Sequence, residues 1–273
     1  MKVDETNKRI YVRQSWLGDM TICPERARLG QVRPDLRTGS DATIIGTAVH
    51  MGIEQFLDGH VDTLADMQDV ALAEFNRLDA LPHKVTNIIA DEIPGYIGSM
   101  CEAWYTTIMP EINGGAEIGV GGATELFFQV DMGMDVEGYA VWLEGTMDYI
   151  SPDGTIWDWK TAKKPYYMAE KQKSAIQPTV YNYAAHKMGL INDGDTAFKY
   201  GVMIRQLTPK GQVGTVMRGA ANRSWLEHYV KGAVTMGLKT GKENIWLMND
   251  TSPLCSENWC SFWSICKGSF GCH

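Results

Sequence analysis

The amino-acid sequence predicts an α/β fold in which a small mixed sheet is flanked by helices. Three observations predict it: apolar residues at helical spacing through most of residues 1–110, strand-like segments within 123–162, and a later order of helix, two strands and helix. We expect a helical N-terminal part over 1–115, a mixed α/β core over 116–250 and a cysteine-rich C-terminal segment over 251–273. The three parts are expected to form one integrated globular unit.

Helices are predicted where apolar side chains recur every three to four residues. Within 44–57, Ile45, Val49 and Ile53 share one helical face, and Gly59 offers a stop just beyond. Further helices are expected over 61–79, 89–109, 175–188 and 222–238.

Strands are predicted after a glycine-rich loop over 113–122. They are expected over 124–131, 138–150, 155–161, 198–207 and 213–217. Pro152-Asp153-Gly154 joins the second strand to the third, and its glycine stands where a positive φ is expected. The chain is expected to end in a cysteine-bearing coil.

The bulk composition is that of a globular protein of one large or two small domains. Hydrophobic residues make up 44% and charged residues 21% of the 273 residues. No apolar run approaches the roughly 20 residues that span a bilayer, and the polar N-terminus does not resemble a secretory signal, so we expect a cytoplasmic protein without a membrane partner. The net charge of −8 argues mildly against a nucleic-acid partner without excluding a local basic groove.

A carboxylate–lysine group is the most informative pattern. Because side chains alternate along a strand, Asp158 and Lys160 share one face and the two flanking tryptophans share the other. A hairpin symmetric about Asp153 places Asp148 opposite Asp158, with Cβ atoms roughly 5 Å apart. Two carboxylates so close favour a cation between them, and hard oxygen ligands suit Mg²⁺ or Mn²⁺. The alternative is an ordinary solvated strand face near a turn.

Two helical pairs add weaker signals. His50 and Glu54 lie one turn apart on one helical face, and so do Gln177 and Tyr181. Each pair is unremarkable alone, and a helical histidine is more often structural than a metal ligand.

Taken in order, these motifs resemble the RecB-like branch of the PD-(D/E)-x-K nuclease superfamily. That branch has a helix histidine, an aspartate after a glycine-containing strand, an Asp/Glu-x-Lys strand and a Gln-x-x-x-Tyr helix. The matching segments here are His50, Gly145-Thr-Met-Asp148, Asp158-Trp-Lys160 and Gln177-x-x-x-Tyr181. Pro178 is a departure that fits only if Gln177 stands near the start of its helix.

The resemblance implies a restriction-endonuclease-like core and a divalent-metal-dependent DNA nuclease, most simply an exonuclease. It implies these metal ligands: His50, Asp148, Asp158 and the carbonyl of Trp159. Lys160 is implied to act on the attacking water or the scissile phosphate, while Gln177 and Tyr181 orient the substrate or the lysine.

The cysteines predict a second metal centre. Four of the six lie in the last nineteen residues: Cys255, Cys260, Cys266 and Cys272. In a reducing compartment, clustered cysteines more often bind metal than form disulfides. Cys101, by contrast, is expected to be a buried free thiol.

Cys23 stands far upstream in a Cys-Pro-x-Arg context. One N-terminal and three C-terminal cysteines resemble the iron–sulfur exonucleases of the same branch, such as AddB-type and CRISPR-associated exonucleases. That resemblance implies a [4Fe–4S] cluster on Cys23, Cys255, Cys260 and Cys266, although four residues separate Cys255 from Cys260 where two are common. The alternative is structural Zn²⁺ held by the C-terminal cysteines with Cys272 or His273, without Cys23.

The implied partner is DNA, as single strands or ends, with a recombination or helicase protein as a further partner. The basic residues that are candidates to track the DNA backbone are Lys163, Lys164, Lys171 and Lys173, with Arg26 and Arg28 as further candidates. The alternative for each of them is an ordinary solvated surface charge. A chain without helicase motifs suggests a phage-encoded accessory nuclease acting in a bacterial or infected host cytoplasm; the oligomeric state is left open.

Two alternatives to a nuclease are a non-catalytic DNA-end or partner-binding module and a redox protein built around the cluster. The latter leaves the carboxylate pair unexplained.

Overall fold

The computed structural model describes residues 1–37, 39–83, 85–86, 88–115, 122–243, 245–257 and 259–269. Its strands are β1 (Lys2–Asp4), β2 (Arg9–Arg13), β3 (Ala123–Val136), β4 (Tyr139–Ile150), β5 (Ile156–Ala162), β6 (Thr196–Ile204) and β7 (Gly211–Arg218). Its α-helices are α1 (Gln14–Ile22), α2 (Pro24–Val32), α3 (Asp41–Leu57), α4 (Leu64–Asp79), α5 (Ile93–Ala103), α6 (Met168–Ser174), α7 (Gln177–Lys187), α8 (Ala220–Glu243) and α9 (Trp263–Ser269).

The chain clusters in space into two compact units. Unit 1 comprises the described parts of Met1–Thr38, Phe128–Gly145 and Ala220–His273. Unit 2 comprises the described parts of Gly39–Phe127 and Thr146–Gly219. The three-part division at residues 115 and 250 stays a prediction.

Strand pairing is mixed, as predicted. In unit 1, β1 pairs antiparallel with β2, and β2 runs parallel to the first part of β4. In unit 2, the end of β4 pairs antiparallel with β5, β5 runs parallel to β6, and β6 pairs antiparallel with β7. Strand β3 also pairs with β4.

The core of unit 2 fixes the orientation of β5. Trp157 and Trp159 are buried on one face of this strand, where Trp159 meets Trp104 edge-to-face with ring centroids 5.8 Å apart. Apolar residues of α3 and α5 belong to the same core cluster. Because the two indoles are buried, the alternate residues Asp158 and Lys160 point to the opposite face.

Most predicted elements are confirmed, with shifted ends. Helix α3 begins at Asp41. Ser40 is its N-cap, and the Ser40 hydroxyl accepts a hydrogen bond from the Thr43 N–H. The helix predicted over 89–109 is α-helical only over Ile93–Ala103 and continues as a π-helical turn over Trp104–Ile108. The one predicted over 175–188 begins at Gln177.

Four of the described elements were missed. Strands β1 and β2 lie in a part predicted to be mostly helical, α6 lies between the strand predicted over 155–161 and the helix predicted over 175–188, and α9 lies in the predicted C-terminal coil. The strands span three and five residues and the helices seven each, which is too short for a periodic pattern to stand out. The expected glycine-rich loop falls largely on residues 116–121, outside the described residues. Among the described helices, none is both long and apolar enough to cross a membrane.

Candidate active site

Unit 2 brings together all of the side chains predicted for a nuclease site. They come from four elements: His50 on α3, Asp148 on β4, Asp158 and Lys160 on β5, and Gln177 and Tyr181 on α7.

The β4–β5 hairpin has the predicted register. Tyr149 pairs with Trp157, so the hairpin is symmetric about Asp153 and Asp148 stands opposite Asp158. Gly154 takes the expected positive φ of 83° in the turn. Asp148 Oδ2 accepts a hydrogen bond from the Trp159 backbone N–H at 2.7 Å. The carboxylate of Asp148 is therefore held against the backbone of the facing strand.

Asp158 is the buried centre of the group, with 1% of its surface exposed. The ammonium of Lys160 lies against Asp158 Oδ2. Gln177 Nε2 donates to Asp158 Oδ1 at 2.7 Å and to the hydroxyl of Tyr181 at 3.3 Å. Gln177 is the first residue of α7, which is the condition under which Pro178 is tolerated.

Burial and charge set the protonation states of this group. Burial raises the pKa of Asp158 to about 6, although Lys160 opposes the shift, and the charge of Asp148 adds to it. Burial alone would lower the pKa of Lys160, but the carboxylates of Asp158 and Asp148 outweigh it and raise that pKa above its ordinary value. Lys160 is therefore an ammonium group at neutral pH.

His50 faces the same carboxylates from α3. Its Nδ1 lies 3.8 Å from Asp148 Oδ2. Burial, followed by the charge of Lys160, lowers the pKa of His50 to about 4. The imidazole is thus neutral at neutral pH, which is the form that binds metals.

Helix α3 passes close to β5 at a glycine. A Cβ at Gly46 would stand 2.9 Å from Thr161 Oγ1. The gap between α3 and β5 forms a pocket of about 360 Å³ lined by small α3 residues and by His50, Trp159, Lys160 and Thr161. The site therefore has an opening beside the lysine.

The donors present suit a hard divalent cation. Two carboxylates, a neutral imidazole and the Trp159 carbonyl form a set rich in oxygen, which suits Mg²⁺ or Mn²⁺ better than a thiophilic metal. Asp158 Oδ2 is buried, and from the described residues it receives no hydrogen bond besides its ion pair with Lys160. Within the described ranges, no three His, Cys, Asp or Glu side chains are already grouped as a metal-binding set.

Three further residues stand close to the site without having been predicted. Glu125, at the start of β3, has its pKa raised to about 7 by burial and then by the negative charges of Asp148 and its neighbours. Burial raises the pKa values of Tyr166 and Tyr200, and both groups interact with Asp158. Nothing in the pattern around Glu125 signalled it. The tyrosine pair that follows Lys160 by six residues could have signalled Tyr166.

Unit 1 gathers the four candidate cluster cysteines. Cys23 lies between α1 and α2, and Pro24 begins the second helix. One pocket is lined by Cys23, Cys255, Cys260 and Cys266. Burial raises the pKa of Cys266, and the charges of Glu25 and the other three thiols add to the shift. Within the part of the chain that the structure describes, none of the four forms a disulfide.

The two remaining cysteines are Cys101 and Cys272. Cys101 is fully buried, as predicted, and burial raises its pKa to about 12, so it is an inert core thiol. Cys272 and His273, the additional ligands of the zinc alternative, lie outside the described residues.

Comparisons with known proteins concern the family and the fold of the chain. Residues 14–267 match the model of the PD-(D/E)XK nuclease superfamily. No curated protein matches. Among solved structures, one described as "Putative exonuclease" from Eubacterium rectale has a TM-score of 0.56 at 12% identity, over 93% of this chain and 92% of that chain. Another, described as SSO0001, has a TM-score of 0.45 at 11% identity, over 98% of this chain and 89% of that chain.

The structural likeness to the Eubacterium rectale protein concerns the fold, whereas the family match spans nearly the whole chain and includes every predicted nuclease residue. The chain belongs to the PD-(D/E)XK nuclease superfamily.

Proposed function

We propose that this protein is a divalent-metal-dependent DNA nuclease, acting as an exonuclease in recombination, repair or phage DNA processing. One observation carries the proposal: Asp148, Asp158 and Lys160 converge in unit 2, and Gln177 holds the central carboxylate. A family member that had lost catalysis would have little need of a buried carboxylate pair, which is costly to maintain without a function.

The cation would be Mg²⁺ or Mn²⁺, held by His50, Asp148, Asp158 and the carbonyl of Trp159. When bound, it would lower the pKa of a water molecule and stabilise negative charge developing on the phosphate. A bound cation would also relieve the electrostatic repulsion between the two carboxylates, which would favour its binding.

The chain's own residues supply charge and orientation. Because its pKa is raised, Lys160 keeps its proton, so its role is to bind the phosphate and stabilise negative charge rather than to accept a proton. Gln177 fixes the direction of the Asp158 carboxylate and links it to Tyr181. Neutral His50 contributes a lone pair instead of a competing positive charge.

The finer assignment is to the RecB-like branch with a metal centre on Cys23, Cys255, Cys260 and Cys266. Their common pocket in unit 1 supports a shared [4Fe–4S] cluster, and it supports Cys23 as a ligand in particular. Structural Zn²⁺ remains the alternative. A phage origin and a recombination partner belong to the same proposal and rest on the resemblance alone.

The test is digestion of end-labelled linear DNA, and of circular DNA without ends, in Mg²⁺ or Mn²⁺ by wild-type protein and by Lys160→Ala. A matched control is Lys199→Ala, whose lysine lies on β6 over the ring of Trp157. We expect linear DNA to be shortened from its ends, Lys160→Ala to be inactive and Lys199→Ala to be active. DNA binding without cleavage by pure wild-type protein would favour the alternative of a non-catalytic DNA-end module.

A further inference from the structure

The segment that follows β5 carries a group of exposed lysines. Residues 163–173 contain four lysines and one glutamate, in a chain whose net charge is −8. Lys163, Lys164 and Lys173 are exposed, and no ion pair formed within the described residues includes them. Such a positive stretch beside Lys160 fits a polyanion.

The same segment exposes a large aromatic ring. Tyr167 is 74% exposed, although its neighbour Tyr166 is turned inward. The ring of Tyr166 packs edge-to-face on Tyr200, and the ammonium of Lys171 lies 4.4 Å from the Tyr166 ring centroid. The two adjacent tyrosines therefore have opposite surroundings, and only Tyr166 contributes to packing.

The backbone that presents Tyr167 is fixed at three places. Gln212 accepts a hydrogen bond from the Tyr166 N–H at 2.7 Å and donates one to the Tyr166 carbonyl at 3.0 Å. The side chain of Met168 fills the space that a Cβ at Gly214 would occupy. The guanidinium of Arg218 donates to the carbonyls of Lys171 and Ala175 at the end of α6. The ring of Tyr167 is thus exposed, while the backbone on either side of it is fixed by these contacts.

The segment lies near the candidate catalytic group. Lys160 and Asp158 both interact electrostatically with Tyr166, which immediately precedes Tyr167. A polymer bound along residues 163–173 would therefore pass close to Lys160.

We propose that residues 163–173 form a guiding surface for single-stranded DNA, in which Tyr167 stacks on a base and the lysines contact phosphates. This inference rests on the proposed nuclease function and names its substrate. Base faces are available for stacking in a single strand, whereas in a duplex they are covered by neighbouring base pairs. An exposed ring with flanking lysines is the combination that binds single strands without sequence preference.

The test measures binding with no divalent metal added, so that cleavage does not contribute. Fluorescence anisotropy of a labelled oligodeoxythymidylate and of a blunt hairpin duplex is recorded over a range of salt concentrations. The variants are Tyr167→Ala, Tyr167→Phe and the pair Lys163→Gln with Lys164→Gln. The pair Lys231→Gln with Lys239→Gln, on exposed positions of α8, removes the same charge elsewhere.

We expect Tyr167→Ala to weaken single-strand binding about tenfold, with duplex binding and melting temperature unchanged. Tyr167→Phe keeps the ring and should bind like wild type. The Lys163 and Lys164 pair should lower the salt slope of single-strand binding by roughly 0.7 per lost phosphate contact, unlike the α8 pair.

Wild-type binding by Tyr167→Ala, an equal loss on the duplex, or an equal effect of the α8 pair would each overturn the inference. The hydrolysis assay is read separately. If the binding results hold while wild-type protein with metal fails to cleave DNA, only the proposed nuclease function is contradicted.

Discussion

At the scale of single residues, the site is a balance between burial and charge. Asp158 is buried beside a second carboxylate, and both effects favour its protonated form. The ammonium of Lys160 opposes them and is itself kept charged by the same carboxylates. At neutral pH the Lys160 ammonium therefore lies close to the carboxyl groups of Asp148 and Asp158, and the His50 imidazole is neutral. A divalent metal requires His50 in its neutral form and the two carboxyl groups in their ionised form.

His50 offers a test of its own role. We expect His50→Ala to weaken Mn²⁺ binding by at least about tenfold, because loss of even an outer-shell partner changes metal affinity by that much. The melting temperature should change little, since the His50 side chain is partly exposed in the pocket wall. Calorimetric titration and thermal unfolding check the two expectations. A lower melting temperature with unchanged Mn²⁺ affinity would assign His50 a structural role instead.

The residue pattern alone predicted the carboxylate–lysine part of this group, whereas His50, Gln177 and Tyr181 were assigned through the family resemblance. Side-chain alternation in β5 and the symmetric turn are local properties, so they could be read from spacing. That Asp148 accepts from the Trp159 N–H depends on how the hairpin pairing ends, which no local pattern specifies. Glu125 was missed because its closeness to Asp148 arises only when β3 is placed in the fold.

At the scale of elements, close contact between helices positions the site. Helix α3 carries His50, and a Cβ at Gly52 on the same helix would meet the backbone carbonyl of Met67 on α4 at 2.7 Å. A backbone atom cannot rotate away as a side chain can. The packing of α3 on α4 therefore requires glycine at this position.

We expect overpacking in Gly52→Ala to cost about 1–3 kcal/mol. Alanine brings a gain of roughly 1 kcal/mol to a helix interior, so the net destabilisation should be about 1 kcal/mol, and at most about 2 kcal/mol. Gly232 on α8 is the matched control, because no described atom outside its own stretch of helix lies within 4 Å of the added Cβ. Gly232→Ala should stabilise the protein by about 0.5–1 kcal/mol. Chemical denaturation measures both; equal effects of the two substitutions would contradict the packing argument.

The elements also show where sequence patterns stop being informative. The long helices α3 and α4 and the long strands β4 and β5 follow their periodicity and were predicted. Helix α6 was missed because it spans seven residues and buries none of them, so no apolar stripe marks it. Its position is set by Arg218, on a strand more than forty residues away.

At the scale of the whole molecule, the two candidate metal centres belong to different compact units. The nuclease residues lie in unit 2, and the four cysteines lie in unit 1. Unit 1 is assembled from three separate stretches of chain, so a metal joining Cys23 to the C-terminal cysteines would close a loop of over two hundred residues. By analogy with disulfides, that closure stabilises by up to ~5 kcal/mol, comparable to the net stability of many domains.

From the sequence, a metal centre that joins Cys23 to the C-terminal cysteines could be predicted only through family resemblance. Spacing shows which cysteines are close along the chain, and it favours a local C-terminal site as readily as one that includes Cys23. The common pocket depends on how α1 and α2 place Cys23 in unit 1. Long-range placement of this kind is a property of the fold.

Protein purified without oxygen is expected to be brown and to contain iron and acid-labile sulfide. Cys23→Ser should lose the colour and much of the stability, whereas Cys101→Ser and Cys272→Ser should keep the colour. Absorption spectra, iron, sulfide and zinc analysis, and thermal unfolding check this. Colourless protein with one zinc per chain, tolerant of Cys23→Ser and sensitive to Cys272→Ser, would establish the zinc alternative and leave the nuclease proposal standing.

Hydrolysis of DNA at the buried carboxylate pair of unit 2 should depend on a divalent cation and on both carboxylates. It is tested by the rate of single-turnover hydrolysis of end-labelled DNA by wild-type protein, Asp148→Asn and Asp158→Asn, each in EDTA and in Mn²⁺. We expect hydrolysis by wild-type protein in Mn²⁺ alone and background rates for both variants. Hydrolysis that persists in EDTA, or wild-type rates in both variants, would contradict it.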